Sequence, residues 1–122
     1  MTNKQKIEMY SRIKKHGDTL KNIFNLNIDS VKLCKKLFKL EREAQRLALL
    51  YCNEGIEIDE EVNQILIKVS KILNTNINNI FFNGDPRGYA LKFDEEFIKD
   101  KDIIHKDWGG YGIIAPDLSE GV

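Results

Sequence analysis

Between positions 33 and 51 the chain carries Leu33, Leu37, Leu40, Ala44, Leu47 and Tyr51, apolar residues at alternating spacings of four and three. Only an α-helix brings such a series onto one side, because its turn of 3.6 residues falls between those two intervals. Asp29 stands where a cap is wanted and Asn53-Glu54-Gly55 supplies a left-handed exit, which predicts a helix of about 24 residues. Cys34, Phe38 and Ala48 widen the seam, so this helix is expected to meet more than one neighbour. At 122 residues, the chain has material for one core around it, and a single domain over 1–122 is expected.

Two more helices are predicted beside it. Thr2 caps a first one that runs to about Lys15, where His16-Gly17 reads as a break and Asp18 restarts a short turn through Phe24. Asp59-Glu60-Glu61 places negative charge at the start of the other, whose buried face is Val62, Ile65, Leu66, Val69, Ile72 and Leu73. The Asn-rich stretch 74–79 closes this helical part, 1–75, and the period then changes. Residues 79–83 and 89–93 alternate as strands, and Asp85-Pro86-Arg87-Gly88 between them fits a type I turn, so a β-hairpin is predicted. If Phe82 pairs with Tyr89, Ile80, Phe82, Tyr89, Leu91 and Phe93 share one face, and Phe81, Asn83, Ala90 and Lys92 the other. A one-residue slip would exchange Phe81 and Phe82. Residues 94–107 read as a loop with a short helical turn, 110–115 as a third strand stopped by Pro116, and 117–122 as a loose tail. The expected class is therefore α+β: N-terminal helices packed against a small antiparallel sheet built around a C-terminal hairpin, with the sheet part spanning 76–116.

Composition narrows the function more by exclusion than by assignment. No apolar run approaches the roughly 20 residues that cross a bilayer, and no apolar segment follows the first six residues, so neither a membrane span nor a secretory signal is expected. Cys34 and Cys52 lie in apolar helical patterns without ligand spacing, which predicts buried thiols in a reducing cytoplasm. His16 and His105, the only histidines, sit in polar stretches and are expected at the surface. There is no nucleophile elbow, Walker loop or dinucleotide fingerprint, and the acidic runs have no histidine at metal-ligand spacing, so no catalysis, metal or cofactor is expected. Charge is split: residues 1–46 hold 12 Lys/Arg against 5 Asp/Glu, and residues 47–122 hold 7 against 14. Because no aromatics interleave the lysines, self-association is favoured over nucleic-acid binding as the meaning of that split.

The chemistry-bearing text lies in Phe81-Phe82-Asn83-Gly84-Asp85-Pro86-Arg87-Gly88-Tyr89-Ala90-Leu91-Lys92 and Asp107-Trp108-Gly109-Gly110-Tyr111-Gly112. Aromatic faces, cations and glycines together are what an anionic nucleotide needs: a platform for the base, donors for phosphate, and close backbone approach. The same residues equally make an ordinary hairpin, its aromatics in the core and its glycines turning the chain.

These two segments, with Leu40-Glu41-Arg42-Glu43-Ala44-Gln45-Arg46-Leu47-Ala48 and Tyr51-Cys52-Asn53, resemble the phage Thoeris anti-defence family of signal sponges, over roughly residues 18–116. The resemblance implies a non-enzymatic protein that sequesters cyclic ADP-ribose isomers made by bacterial TIR-domain defence proteins, in the cytoplasm of the infected host. It also implies a homodimer or larger homo-oligomer that holds the nucleotide near a subunit boundary. On that reading the adenine is expected on Phe82, with Phe81 as the register-dependent substitute. Arg87, Lys92 and Arg46 are expected at the pyrophosphate, Asn83 and Asp85 at ribose hydroxyls, and Trp108 and Tyr111 over the other side. The competing expectations are an inhibitor that binds nucleic acid or protein through the basic helices, and a small cyclic-nucleotide hydrolase with Asp85 or Asp107 as base.

Overall fold

The computed structural model describes residues 2–85, 88–101 and 110–114, and the backbone of 106–107. Three long helices, α1 (Asn3–Phe24), α2 (Ser30–Glu54) and α3 (Asp59–Leu73), precede a single helical turn at Ile77–Asn79. Then come β1 (Ile80–Phe82), β2 (Leu91–Phe93), the short α4 (Glu95–Ile98), β3 (Lys106–Asp107) and β4 (Gly110–Gly112). This is the expected α+β architecture of helices against a small antiparallel sheet.

The predicted break in the first helix is absent: α1 runs unbroken through His16-Gly17, capped by a Thr2–Gln5 capping box and ended by Asn25 in the left-handed region. Gly17 marks a close approach instead. A Cβ there would overlap the backbone carbonyl of Ser30, the first residue of α2. A helical glycine costs about 1 kcal/mol relative to alanine, and burial of Ile13, His16 and Leu20 around it outweighs that cost. The same junction holds the Ser30 hydroxyl against the Asp18 carboxylate, which also accepts from Lys14 Nζ at 3.1 Å. These bonds, Ser30's first, hold the Asp18 carboxyl below its usual range.

Helix α2 matches its pattern closely. The Asp29 side chain accepts from the Lys32 amide at 3.0 Å, and Gly55 at φ 64° takes the chain out of the helix. Leu33, Leu37, Leu40, Ala44 and Leu47 are buried. Tyr51, expected on the seam, is 56% exposed. Cys34 is buried as expected, and desolvation pushes its thiol up to about 12. Cys52, expected inside, is exposed, its thiol against the Gly84 carbonyl at the rim of the hairpin. On α3, Ile65, Val69 and Leu73 are buried, with Val62, Leu66 and Ile72 partly buried beside them.

The sheet order is β1-β2-β4-β3, all antiparallel. Phe82 pairs with Leu91 and Ile80 with Phe93, two residues from the predicted register. An even shift leaves the β1 residues and Leu91, Lys92 and Phe93 on the expected faces. Tyr89, expected beside Phe82, instead has its ring against Gly112 on the Lys92 face, because the chain bends at Ala90 and leaves the strand alternation there. Ile80, Phe82, Leu91 and Phe93, joined by Tyr111, share one face, and Phe93 stacks on Phe24 of α1 at 5.8 Å. The other face carries Phe81, Lys92, Gly110 and Gly112. Strand β2 is shorter than the predicted 89–93, β4 occupies 110–112, and β3 lies where a loop was expected. The centre of the predicted type I turn, the end of the predicted third strand at Ala115-Pro116 and the tail 117–122 fall outside the described residues. No helix among the described residues is long and apolar enough to cross a membrane.

Candidate functional site

Two segments separated by the whole of α4 and β3 become neighbouring strands: Lys92 of β2 lies opposite Gly112 of β4, and Phe93 opposite Tyr111. The arrangement depends on Gly112, where a Cβ would lie within the Tyr89 ring. Tyr89 therefore sits flat on the strand, with Lys92 Nζ 5.9 Å from its centroid, in a cation–π arrangement. Lys92 is wholly buried, 0% exposed, although the sequence places it on the mixed face.

The two adjacent phenylalanines divide clearly. Phe82 is partly buried against the core, whereas Phe81 is 40% exposed on the Lys92 face. The base platform expected on Phe82 is thus better offered by Phe81. Tyr111 is half-buried on the core face with Phe93, across the sheet from Lys92. Asn83 continues the ladder through its amide to the Ala90 carbonyl at 2.7 Å, and its side chain accepts from the Asp85 amide at 3.2 Å. That turn-type bond leaves both residues half-buried at the end of the strand. Arg87, Trp108 and His105 lie outside the described residues.

Helix α2 backs the hairpin with one stripe. Glu41, Gln45, Ala48 and Cys52 recur at helical spacing; Glu41 meets Ala90 and Leu91, and Cys52 Sγ donates to the Gly84 carbonyl at 3.2 Å. Arg46 stands about 140° around the helix from Glu41, at 100° per residue. It is exposed and lines a separate surface cleft of about 220 Å³ with Leu49, Leu50, Asn53 and Glu54. The structure does not bring Arg46 to the hairpin within one chain.

Sequence reasoning missed the two polar groups that hold this region. Glu41 is 2% exposed; its Oε2 accepts from the Ala90 amide at 2.9 Å and its Oε1 from the Leu91 amide at 3.0 Å. Desolvation pushes its carboxyl up to about 7, opposed by those two amides, by Gln45 and by the charge of Lys92. His16, expected at the surface, is buried, and its Nε2 donates to the Ile113 carbonyl at 2.8 Å. A carbonyl only accepts, so Nε2 carries a proton. The one signal for Glu41 was its place between Leu40 and Ala44 on the buried seam. In the chain, nothing marked His16, whose partner is 97 residues away.

Compared with known protein families, curated proteins and solved structures, the chain finds no match.

Proposed function

We propose that the protein is a non-catalytic sponge for a cyclic ADP-ribose isomer, acting in the cytoplasm of a phage-infected bacterium to blunt TIR-domain immune signalling. One observation supports this most: the two segments that carry the resemblance, 81–92 and 107–112, meet as adjacent strands around Lys92, Tyr89 and Gly112. They assemble an exposed aromatic ring, a buried ammonium and glycine backbone in one place, the ingredients for base and pyrophosphate. In this reading Phe81 carries the base and Lys92 supplies positive potential beneath the phosphates. Asn83 and Asp85 meet the ribose hydroxyls, and Arg87 and Trp108 complete the enclosure, while Tyr111, on the core face with Phe93, supports the sheet from behind. Arg46, on the far side of α2, enters such a site from a second subunit, so the sponge works as a homo-oligomer. No cofactor is required, because sequestration needs affinity without bond-making.

Incubation of the pure protein with a cyclic ADP-ribose isomer, followed by desalting and heat release, tests this. The expected result is recovery of the ligand at unchanged mass. A changed mass would establish hydrolysis, and no retained ligand would remove the sponge reading.

A further inference from the structure

Successive N–H groups of a regular β-strand point to opposite edges of the strand. At Ala90 and Leu91 they converge on one carboxylate, that of Glu41, and the chain bends at Ala90 to allow it. Both amides are thereby diverted from the sheet. Asn83 donates to the Ala90 carbonyl, but the Ala90 N–H that would return the bond across the hairpin goes to Glu41 Oε2. On the other edge Ile113 donates to the Leu91 carbonyl at 3.1 Å, while the Leu91 N–H goes to Glu41 Oε1 and the Ile113 carbonyl accepts from His16 Nε2. Side chains from α2 and α1 thus stop two ladders at one level. Beyond that level the chain carries Tyr89, whose ring lies over Gly112.

We infer that Glu41 is a positioning residue for the candidate nucleotide site, acting through the Ala90 and Leu91 amides to hold segment 88–90 out of the sheet. The inference rests on the sponge reading only for the identity of the ligand. The carboxylate accepts strongly on both oxygens; once protonated, one becomes a hydroxyl whose hydrogen must turn away from the amide N–H and whose lone pairs accept more weakly. The charged group facing Glu41 is Lys92 on β2, and the neutral amide of Gln45, on its own helix, also hydrogen-bonds to it. Protonation near neutral pH therefore loosens the clasp and, with it, the seat of Tyr89 and the strand end beside Asn83. The closely related amide Glu41→Gln mimics the protonated state, while Glu41→Asp keeps the charge but shortens the reach.

The test pairs two readouts on the full chain. Amide nitrogen–proton spectra of the free protein follow Ala90 and Leu91 from pH 5.5 to 8.5, and calorimetry measures the affinity for a cyclic ADP-ribose isomer over the same range. The expected result is that both amide signals titrate together in the wild type with a midpoint near 7. In Glu41→Gln they stay at the wild-type acidic position. Wild-type affinity should fall about tenfold from pH 8.5 to 5.5, while the variant binds at the weak level throughout. Amide signals that ignore pH in the wild type, or affinity in Glu41→Gln equal to wild type at pH 8.5, overturn the inference. Should the amides titrate as expected while no ligand binds at any pH, the clasp stands and the sponge reading falls.

Discussion

The helical layer and the sheet are held by different forces. In α1, α2 and α3, side chains meet along apolar seams such as Leu33, Leu37, Leu40, Ala44 and Leu47, and stabilisation follows the apolar area removed from water. Among the described residues the strands are at most three residues long and cannot sustain themselves by ladder bonds alone. They are completed by side chains reaching in from the helices, Glu41 to Ala90 and Leu91 and His16 to Ile113, and by one ring seated on one glycine. The difference teaches that the candidate site belongs to the less redundant region, where a single proton or methyl group changes the geometry.

If the helical layer is an apolar scaffold, its largest sensitivity should be to lost volume. Leu37→Ala should cost about 2–5 kcal/mol of unfolding free energy, read by urea denaturation, because Leu37 is wholly buried. A loss under about 1 kcal/mol would mean the seam repacks freely and the contrast with the sheet is overstated.

Charge in place of volume should govern the sheet junction. Glu41 titrates near 7 in the folded protein against an ordinary 4.5, so the folded state binds its proton more tightly. The stability it contributes is fully present below about 4.5 and is lost as pH rises through about 7. Compared with Glu41→Gln, the wild type should lose on the order of 3 kcal/mol between pH 4.5 and 8, checked by unfolding both at each pH. Parallel pH profiles would show that Glu41 is solvated in solution. The clasp therefore works best where it stabilises the fold least, as expected of a buried charge kept for geometry.

Gly17→Ala sharpens the comparison from the helical side. In an open helix this change stabilises by about 1 kcal/mol. Here a methyl group would overlap Ser30 backbone, so a loss of about 1–3 kcal/mol is expected instead. Thermal unfolding gives the sign directly, and stabilisation would mean that α1 and α2 separate easily at this end.

The smallest effect on stability, and the most telling for function, concerns the paired phenylalanines. Phe81→Ala should change stability by no more than about 0.5 kcal/mol, because the ring is 40% exposed. It should weaken nucleotide binding by about 1–3 kcal/mol if the base stacks there. Phe82→Ala should do the reverse, destabilising the fold through its core contacts. Loss of affinity in Phe82→Ala alone, with unchanged stability, would return the platform to Phe82.

Much of the molecule was legible from local signals. Periodicity and caps located α2 from Asp29 to Gly55 and α3 from Asp59, because a helix is written in contacts three and four residues apart. Alternation located the hairpin and the faces of residues 80–82 and 91–93, since strand period is insensitive to a two-residue shift in register, but not the side taken by Tyr89, which lies before the bend at Ala90. His16-Gly17 misled for a reason local signals cannot resolve: a glycine that ends a helix and one that admits a neighbouring backbone look alike in sequence. The burial of Lys92, the division between Phe81 and Phe82, and the distance of Arg46 from the hairpin were decided only when the elements packed. The same holds for the clasp, whose partners lie 49 and 50 residues from Glu41, and for the bond from His16 to Ile113 across 97. A short-range pattern determines which way a side chain points on its own element; which amide or carbonyl waits there depends on the closure of the whole chain.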